Sequence, residues 1–361
     1  MTTPLLRPIL SVVMTSFNGA KFIREQLASL STQTLRPDEL VLCDDGSSDA
    51  TLEIVSDFQR TAPFPVKVHR NPVRLGYADN FLHGCALAVG QVIAFCDQDD
   101  VWEPTKLERG MAELTGNPGV VLVIHSATVV DADLQTCGFA KPDFAVDEVV
   151  NPSGGELELS LPGFAMMFSA DLVRAIDWRN RAQDYMADDR SRMTHDQWIV
   201  FLARSIGRVA HLSDRLAMYR QHGANTCGAV DPAGTHGPTL HRAANEAAYR
   251  QRADSSNYYA KYLSGLMGAV GGDWGARLQA SAADYQRQAE TYALRAQLYA
   301  GDRTLAGRIR TYTSLWRQGA YRSRRRCGLG WRAGFKDASG LVWGESLPRS
   351  LVNRNMRLPP S

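Results

Sequence analysis

Three carboxylates stand within four positions in the stretch FCDQDDVWEP, at Asp97, Asp99 and Asp100, directly after the apolar run Val92-Ile93-Ala94-Phe95-Cys96. Like charges this close raise one another's pKa unless a cation or hydrogen-bond donors compensate. The stretch therefore calls for a partner. A D-x-D at the end of a strand suits a hard divalent ion, because Mg²⁺ takes one or two carboxylates and completes its shell with water and substrate phosphate oxygens. A calcium loop would need a ligand and then a glycine where Val101 and Trp102 stand, so that alternative fails on geometry. The expected partner is a metal diphosphate. No Walker lysine motif occurs, and GLGWRAG near the C-terminus follows an arginine run rather than a strand, so neither a P-loop nor a Rossmann dinucleotide site is supported.

Other polar groups sit at comparable places. TSFNG (Thr15 to Gly19) and CDDGSSD (Cys43 to Asp49) also follow apolar runs, although DDGSSD alone is equally an ordinary turn with Ser47 or Ser48 capping the next helix. Arg74 and Asn80 in NPVRLGYADN read either as contacts to a nucleoside base or phosphates, or as solvated turn residues. His222 in YRQHGAN, beside Arg220, reads as a contact to the metal or diphosphate, or as a loop histidine bonded to backbone. Gly163 in LPGFAMMF either lets backbone approach an acceptor or makes a tight turn. Asp196 in THDQW opens a helix, where its plain reading is a solvated cap.

The elements that must position these residues alternate. Strands are expected over Ile9 to Met14, Glu39 to Cys43, Val66 to Arg70, Gln91 to Cys96 and Val120 to Ser126. Helices are expected over Lys21 to Leu30, Asp49 to Phe58, Tyr77 to Val89 and Pro104 to Leu114. This is the signature of an α/β fold with a mostly parallel sheet flanked by helices, which binds ligands beyond the carboxyl ends of its strands. The pattern loosens from Asp131 to about Pro162, then LPGFAMMFSADLVRAI restores order, a helix begins near His195, and RLAMYRQHGANTCG reads as a strand running into a loop. The expected organisation is a domain over 1–235, with a donor half at about 9–126 and an acceptor half at 127–235, then a C-terminal helical, Arg-rich appendage over 236–361.

Composition narrows the function classes. The 361 residues are 44% hydrophobic, ample for a core, and 40 Lys+Arg against 38 Asp+Glu leave a net charge of +2, too little to attract nucleic acid indiscriminately. Cys43, Cys85, Cys96, Cys137, Cys227 and Cys327 are scattered without paired spacing, as expected of reduced thiols in the cytoplasm. No signal peptide or membrane span is expected, since the apolar run at the N-terminus is short and broken by Arg7 and Pro8. Residues Arg308 to Lys336 have many arginines and no acid, with Trp316, Tyr321, Trp331 and Phe335 interleaved among Arg317, Arg322, Arg324, Arg325 and Arg326. That mixture suits a peripheral contact with the inner face of the cytoplasmic membrane.

Taken together, SVVMTSFNGAKFIREQLASLSTQTLRPDELVLCDDGSSDAT, NPVRLGYADNF and GQVIAFCDQDDVWEPTKL resemble the nucleotide-sugar-binding half of family 2 inverting glycosyltransferases, with a GT-A fold, over roughly residues 9 to 225. DQDDVW with YRQHGAN resembles the bacterial rhamnosyltransferase-like branch. The resemblance implies that Thr15 and Phe17 line the nucleoside pocket, Asp45 meets the base, Asp97 meets the ribose or diphosphate, and Asp99 binds Mg²⁺ or Mn²⁺. It implies Asp196 as catalytic base, with His195 and Trp198 on the acceptor side, although many relatives carry Glu-Asp where this chain has His195-Asp196. The function it implies is transfer of a sugar, L-rhamnose or a related deoxyhexose from a dTDP donor, onto a surface polysaccharide or lipid-linked glycan. A nucleotide-sugar hydrolase or nucleotidyltransferase, and a non-catalytic glycan-binding module, are the alternatives on the same scaffold.

Overall fold

The computed structural model describes residues 7–152, 161–185, 187, 189–223, 225, 242–267, 273–322, 329 and 333–338. Its first half alternates as the sequence leads one to expect: β1 (Leu10–Ser16), α1 (Ile23–Ser31), β2 (Glu39–Asp44), α2 (Thr51–Thr61), β3 (Val66–Arg70), α3 (Tyr77–Leu87) and β4 (Val92–Cys96). β5 (Val101–Trp102), α4 (Lys106–Gly116), β6 (Val120–Val130), β7 (Thr136–Ala140) and β8 (Glu148–Val150) follow. β9 (Met166–Ser169), the single turn α5 (Asp171–Arg174), α6 (His195–Ile206) and β10 (Arg208–Arg220) complete the sheet region. Three long helices come last: α7 (Arg242–Leu266), α8 (Asp273–Tyr299) and α9 (Leu305–Arg317).

One sheet runs through the molecule in the order β3-β2-β1-β4-β9-β6-β10-β5, with β7 on β6 and β8 on β10. β3, β2, β1 and β4 are mutually parallel, and every residue of β2 and β4 is buried, as both-face coverage by helices requires. Beyond β4 the sheet turns mixed. β9 runs antiparallel to both β4 and β6, and only β6 with β10 restores a parallel pair. The registers place Ser16 beside Asp44 and Met14 beside Cys96, so the loops after β1, β2 and β4 emerge together at one edge of the sheet.

The C-terminal helices do not stand apart. Tyr259, Ala260 and Leu263 of α7 and Leu278, Ala282 and Tyr285 of α8 belong to the same buried cluster as Trp198, Phe201 and Leu202 of α6. Farther along, Asp337, fully buried, accepts two hydrogen bonds from Arg295 (2.8 and 3.0 Å) and one each from Tyr299 and Tyr321 (2.8 and 2.9 Å), tying the short helix over 333–338 to α8. Tyr321 is thereby buried and unavailable as an interfacial aromatic. Arg324, Arg325, Arg326 and Trp331 lie outside the described residues.

Candidate active site

The crowded carboxylates are held mainly from the far end of the sheet. After Asp100 the chain pairs at once with β10, Trp102 opposite Ala217 and Val101 opposite Met218. This brings Arg220, 1% exposed, under the loop. Its backbone N–H donates to Asp100 Oδ1 (3.0 Å), Nε to the Asp99 carbonyl (2.7 Å) and Nη1 to the Ala132 carbonyl (2.7 Å), while Nη2 meets the Glu25 carboxylate. The guanidinium also lies 4.6 Å over the Phe22 ring.

Compensation is incomplete. Asp100 Oδ2 is buried without a hydrogen-bond partner. Burial, then the charges of Asp99 and Asp196, push the Asp97 carboxyl up to about 7, with Lys106 opposing, and burial with Asp99 and Asp97 raises Asp100 as well. Lys106, 2% exposed, donates to the Phe164 carbonyl (2.6 Å) and lies 3.6 Å over the Trp102 ring. Burial pulls its ammonium down to about 7 against the pull of Cys96, Asp100 and Asp97. The loop remains short of positive charge.

The donor set fits a divalent ion. His222 Nε2 lies 2.9 Å from Asp99 Oδ2, and the imidazole is fixed by stacking on Phe22 at 4.5 Å. Among the described residues no group of three or more His, Cys, Asp or Glu could hold an ion unaided. The described residues therefore offer two ligands at most, Asp99 and His222, which suits an ion that takes the rest of its shell from diphosphate and water.

Of the residues expected at a nucleotide, Arg74 is exposed, with its guanidinium 3.8 Å over the Phe17 ring and Nε 3.9 Å from Asp45 Oδ2. Phe17 and Thr15 are half-buried at the end of β1. Gln98 fixes this end of the chain by accepting from Phe17 N–H (3.0 Å) and donating to its carbonyl (3.2 Å). Asp45 is buried and accepts from the Asn71 side chain (2.9 Å) and the N–H groups of Leu75 (2.7 Å) and Gly76 (2.8 Å), so its carboxylate shapes the loop that carries Arg74. Asn80, expected at the base or phosphates, is buried, accepting from Asn71 (2.8 Å) and donating to the Cys43 carbonyl (2.9 Å). Both ends of its amide are engaged inside the protein.

DDGSSD serves neighbouring loops more than its own helix. Asp44 binds Ser16, Gly46 and Ser47, with Gly46 at φ 90 turning the chain; Ser47 and Ser48 bond Asn18, and Thr51 and Asp49 receive Gly19 and Ala20. Neither serine caps α2, which has Ala50 at its N-cap.

The residues expected at an acceptor depart furthest from expectation. Thr194 N–H donates to Gln197 Oε1 (2.9 Å) at the start of α6, and Asp196 Oδ1 accepts from Gln197 N–H (2.8 Å) and from the Thr194 hydroxyl. Asp196 stands near enough to Asp97 for its charge to raise that pKa. His195 instead turns inward, buried and stacked on Phe81 at 4.2 Å with Phe95 at 5.0 Å, and burial keeps its imidazole neutral by lowering its pKa. Gly163 packs on that ring, where an added Cβ would lie 2.4 Å from His195 Nε2. Trp198 is fully buried against Phe201 and Tyr262. His195 and Trp198 thus present no surface to an acceptor, because the apolar face of α6 needs them in the core.

The structure gathers Asp97, Asp99, Asp196 and His222 at one sheet edge, and adds Arg220, Lys106 and Gln98, which the motifs alone did not assign. A signal for Lys106 exists: it shares the buried face of α4 with Leu107, Gly110 and Met111.

The sheet with its flanking helices is of GT-A-like fold. Residues 11–136 match the family described as Glycosyl transferase family 2. The chain is 28% identical over 225 residues to an uncharacterized glycosyltransferase of Nostoc sp., covering 60% of this chain and 66% of that one. It is 33% identical over 109 residues to the Escherichia coli UDP-Glc:alpha-D-GlcNAc-diphosphoundecaprenol beta-1,3-glucosyltransferase WfgD, covering 30% and 42%. The chain spans just under two thirds of the Nostoc relative's length. The crystal structure of S. aureus TarS 1-349 in complex with UDP-GlcNAc aligns with a TM-score of 0.51 at 18% identity, over 87% of this chain and 93% of that one, a likeness of fold.

Proposed function

We propose that this chain transfers a sugar from a nucleoside diphosphate donor to a glycan or lipid-linked acceptor, with inversion at the anomeric carbon. The observation that carries this reading is the facing of two differently held acidic groups: Asp97 and Asp99 on the strand-end loop, and Asp196 on α6. Asp196 takes the proton of the acceptor hydroxyl while that oxygen attacks the anomeric carbon, and the bond to the diphosphate oxygen breaks on the opposite face. Asp99 and His222 would hold Mg²⁺ or Mn²⁺, which supplies positive charge to the departing diphosphate. Arg220 keeps Asp99 and Asp100 in place, and Arg74 over Phe17 offers a cationic, aromatic edge to the nucleotide.

DQDDVW with YRQHGAN is the ground for proposing dTDP-L-rhamnose or a related deoxyhexose as donor. UDP-hexoses are the competing donors, since UDP-Glc stands in the name of the E. coli relative and UDP-GlcNAc in the TarS complex. The acceptor reading gains support from α9, where Leu305, Ile309 and Trp316 are 58%, 47% and 54% exposed along one helical face beside Arg308, Arg310 and Arg317, with no acid on the helix. Such a helix suits reversible contact with an anionic membrane presenting the acceptor. No helix among the described residues is long and apolar enough to cross one.

A paired mutant experiment tests the division of labour. Asp99→Ala should abolish Mg²⁺-dependent nucleoside diphosphate binding in calorimetry, whereas Asp196→Asn should bind donor normally yet turn over about 10²- to 10⁴-fold more slowly. Wild-type kcat in Asp196→Asn, or equal affinity of the native protein with and without Mg²⁺, would overturn the reading.

A further inference from the structure

The segment that leads into α6 is gripped from outside the sheet. Residues 182–184 pair back against residues 191–193, with Gln183 bridging Arg192, Asp184 N–H donating to the Ser191 carbonyl (2.8 Å) and Met193 N–H to that of Ala182 (2.9 Å). Three tyrosine hydroxyls of α7 hold this fold. Tyr258 accepts from Gln183 N–H (2.9 Å), Tyr259 accepts from Tyr185 N–H (3.1 Å), and Tyr262 donates to the Asn180 carbonyl (2.8 Å). Positions 258, 259 and 262 fall on one side of a helix. The Tyr185 ring stacks on Tyr258 at 5.1 Å, so the contact is packed as well as bonded.

From there a continuous set of bonds reaches the carboxylate. Gln197 Nε2 donates to Asp184 Oδ2 (3.0 Å), Gln197 Oε1 accepts from Thr194 N–H (2.9 Å), and Gln197 N–H donates to Asp196 Oδ1 (2.8 Å). At the other end of α6, Ser281 and Arg277 of α8 donate to the carbonyls of Ser205 (2.6 Å) and Ile206 (2.8 Å). The helix is therefore located at both ends by the C-terminal helices. Aromatic contacts of Phe201 with Tyr259 (5.2 Å) and Tyr285 (6.1 Å) fix its middle.

We propose that Tyr258, Tyr259 and Tyr262 are positioning residues for Asp196, acting through Asp184 and Gln197, so that the C-terminal helices are a working part of the acceptor-side machinery. The proposal rests on the reading of Asp196 as base. It follows from the geometry of general-base catalysis, in which a carboxylate displaced by about 1 Å loses up to about 10²-fold in rate. Asp196 lies on the first turn of a helix whose entry segment, among the described residues, has no sheet partner beyond its own bridge. Removing a tyrosine hydroxyl leaves the ring packing in place, and the freed N–H of Gln183 and carbonyl of Asn180 lie where water reaches them.

Two measurements on the full chain test this. In hydrogen exchange, Tyr258→Phe/Tyr262→Phe should lower the protection of the amides at 194 and 197 about tenfold, along with that at 183. Loss confined to 183 would mean a local clamp and would overturn the proposal. In turnover, with UDP-glucose, UDP-N-acetylglucosamine and dTDP-rhamnose as donors and nucleoside diphosphate release as signal, the same pair should lower kcat about tenfold with donor Kd unchanged. Introduced into Asp196→Asn, the pair should change the residual rate less than about twofold, since its effect runs through that carboxylate. Equal losses in both backgrounds, or unchanged kcat in the tyrosine pair alone, would overturn the clamp while leaving the base assignment standing. Wild-type kcat in Asp196→Asn alone would remove the base assignment and the clamp with it.

Discussion

At the scale of single residues, the site is a small charge problem solved from several directions. Asp97, Asp99 and Asp100 announced themselves in the sequence, and so did His222, which stands at Asp99. Asn80, His195 and Trp198 looked similar in type yet went to the core, because a residue letter does not say which side of a helix or turn faces inward. Lys106 is the converse, a buried charge whose trace in the sequence is its place on the apolar face of α4. Its ammonium is pulled down to about 7 by burial, which gives a stability signature of definite sign. Below that pH the group is charged in both folded and unfolded chains, and the folded state carries the full cost of burying the charge. Between about 7 and the unfolded pKa of about 10.4 the unfolded chain binds more protons, so stability rises with pH. Lys106→Met should flatten the rise in the urea midpoint between pH 7 and 10. A midpoint that climbs as steeply in the variant would place the titration elsewhere.

Among the elements, β1 to β4 were legible because buried apolar runs bounded by polar turns have few other readings. β3 was read to its end residues, Val66 and Arg70. β9, four residues long, was not legible as a strand between β4 and β6, since both partners are distant in sequence and neither leaves a periodic trace within MMFS. β5, two residues pairing with β10, was equally silent. The start of α6 was legible near His195, but its meeting with the Gly163 turn was not. That meeting makes a sharp prediction. Gly163→Ala should destabilise by about 1–3 kcal/mol in denaturant unfolding, because the new methyl intrudes on the His195 ring. Adding His195→Ala should recover part of that loss as a favourable coupling of about 0.5–3 kcal/mol. Additive losses in the double mutant would show that the turn, not the ring, sets the constraint.

For the whole molecule, the sequence separates a sheet domain from a helical tail, and the tail's helical character was visible in its composition. Its intimacy with α6 was not, since Tyr259, Leu263, Leu278 and Tyr285 enter the common core through contacts far apart in sequence. The outer end of the tail behaves differently, with Leu305, Ile309, Trp316 and also Phe335 exposed. Full-length protein should co-sediment with anionic vesicles in a salt-sensitive manner and weakly with neutral ones, at about 1 kcal/mol per basic side chain near the surface. Ile309→Gln/Trp316→Gln should shift the chain to the supernatant without changing its thermal midpoint. Unchanged pelleting of that variant would exclude α9 as the contact.

The bond from the Arg220 backbone to Asp100 joins positions 120 residues apart, and the same arginine holds the carbonyl of Asp99. A ribosome delivers the acids first. For the time needed to make those further residues, of order ten seconds at 5–20 residues per second, the nascent chain carries its acidic loop without the arginine that fastens it. The parallel strands β1 to β4 have by then everything they need to pair, yet the acidic loop is not fastened until the last strand of the sheet is inserted. A half-made chain would thus own a sheet before its acidic loop was held, and that fastening would arrive in a single late step.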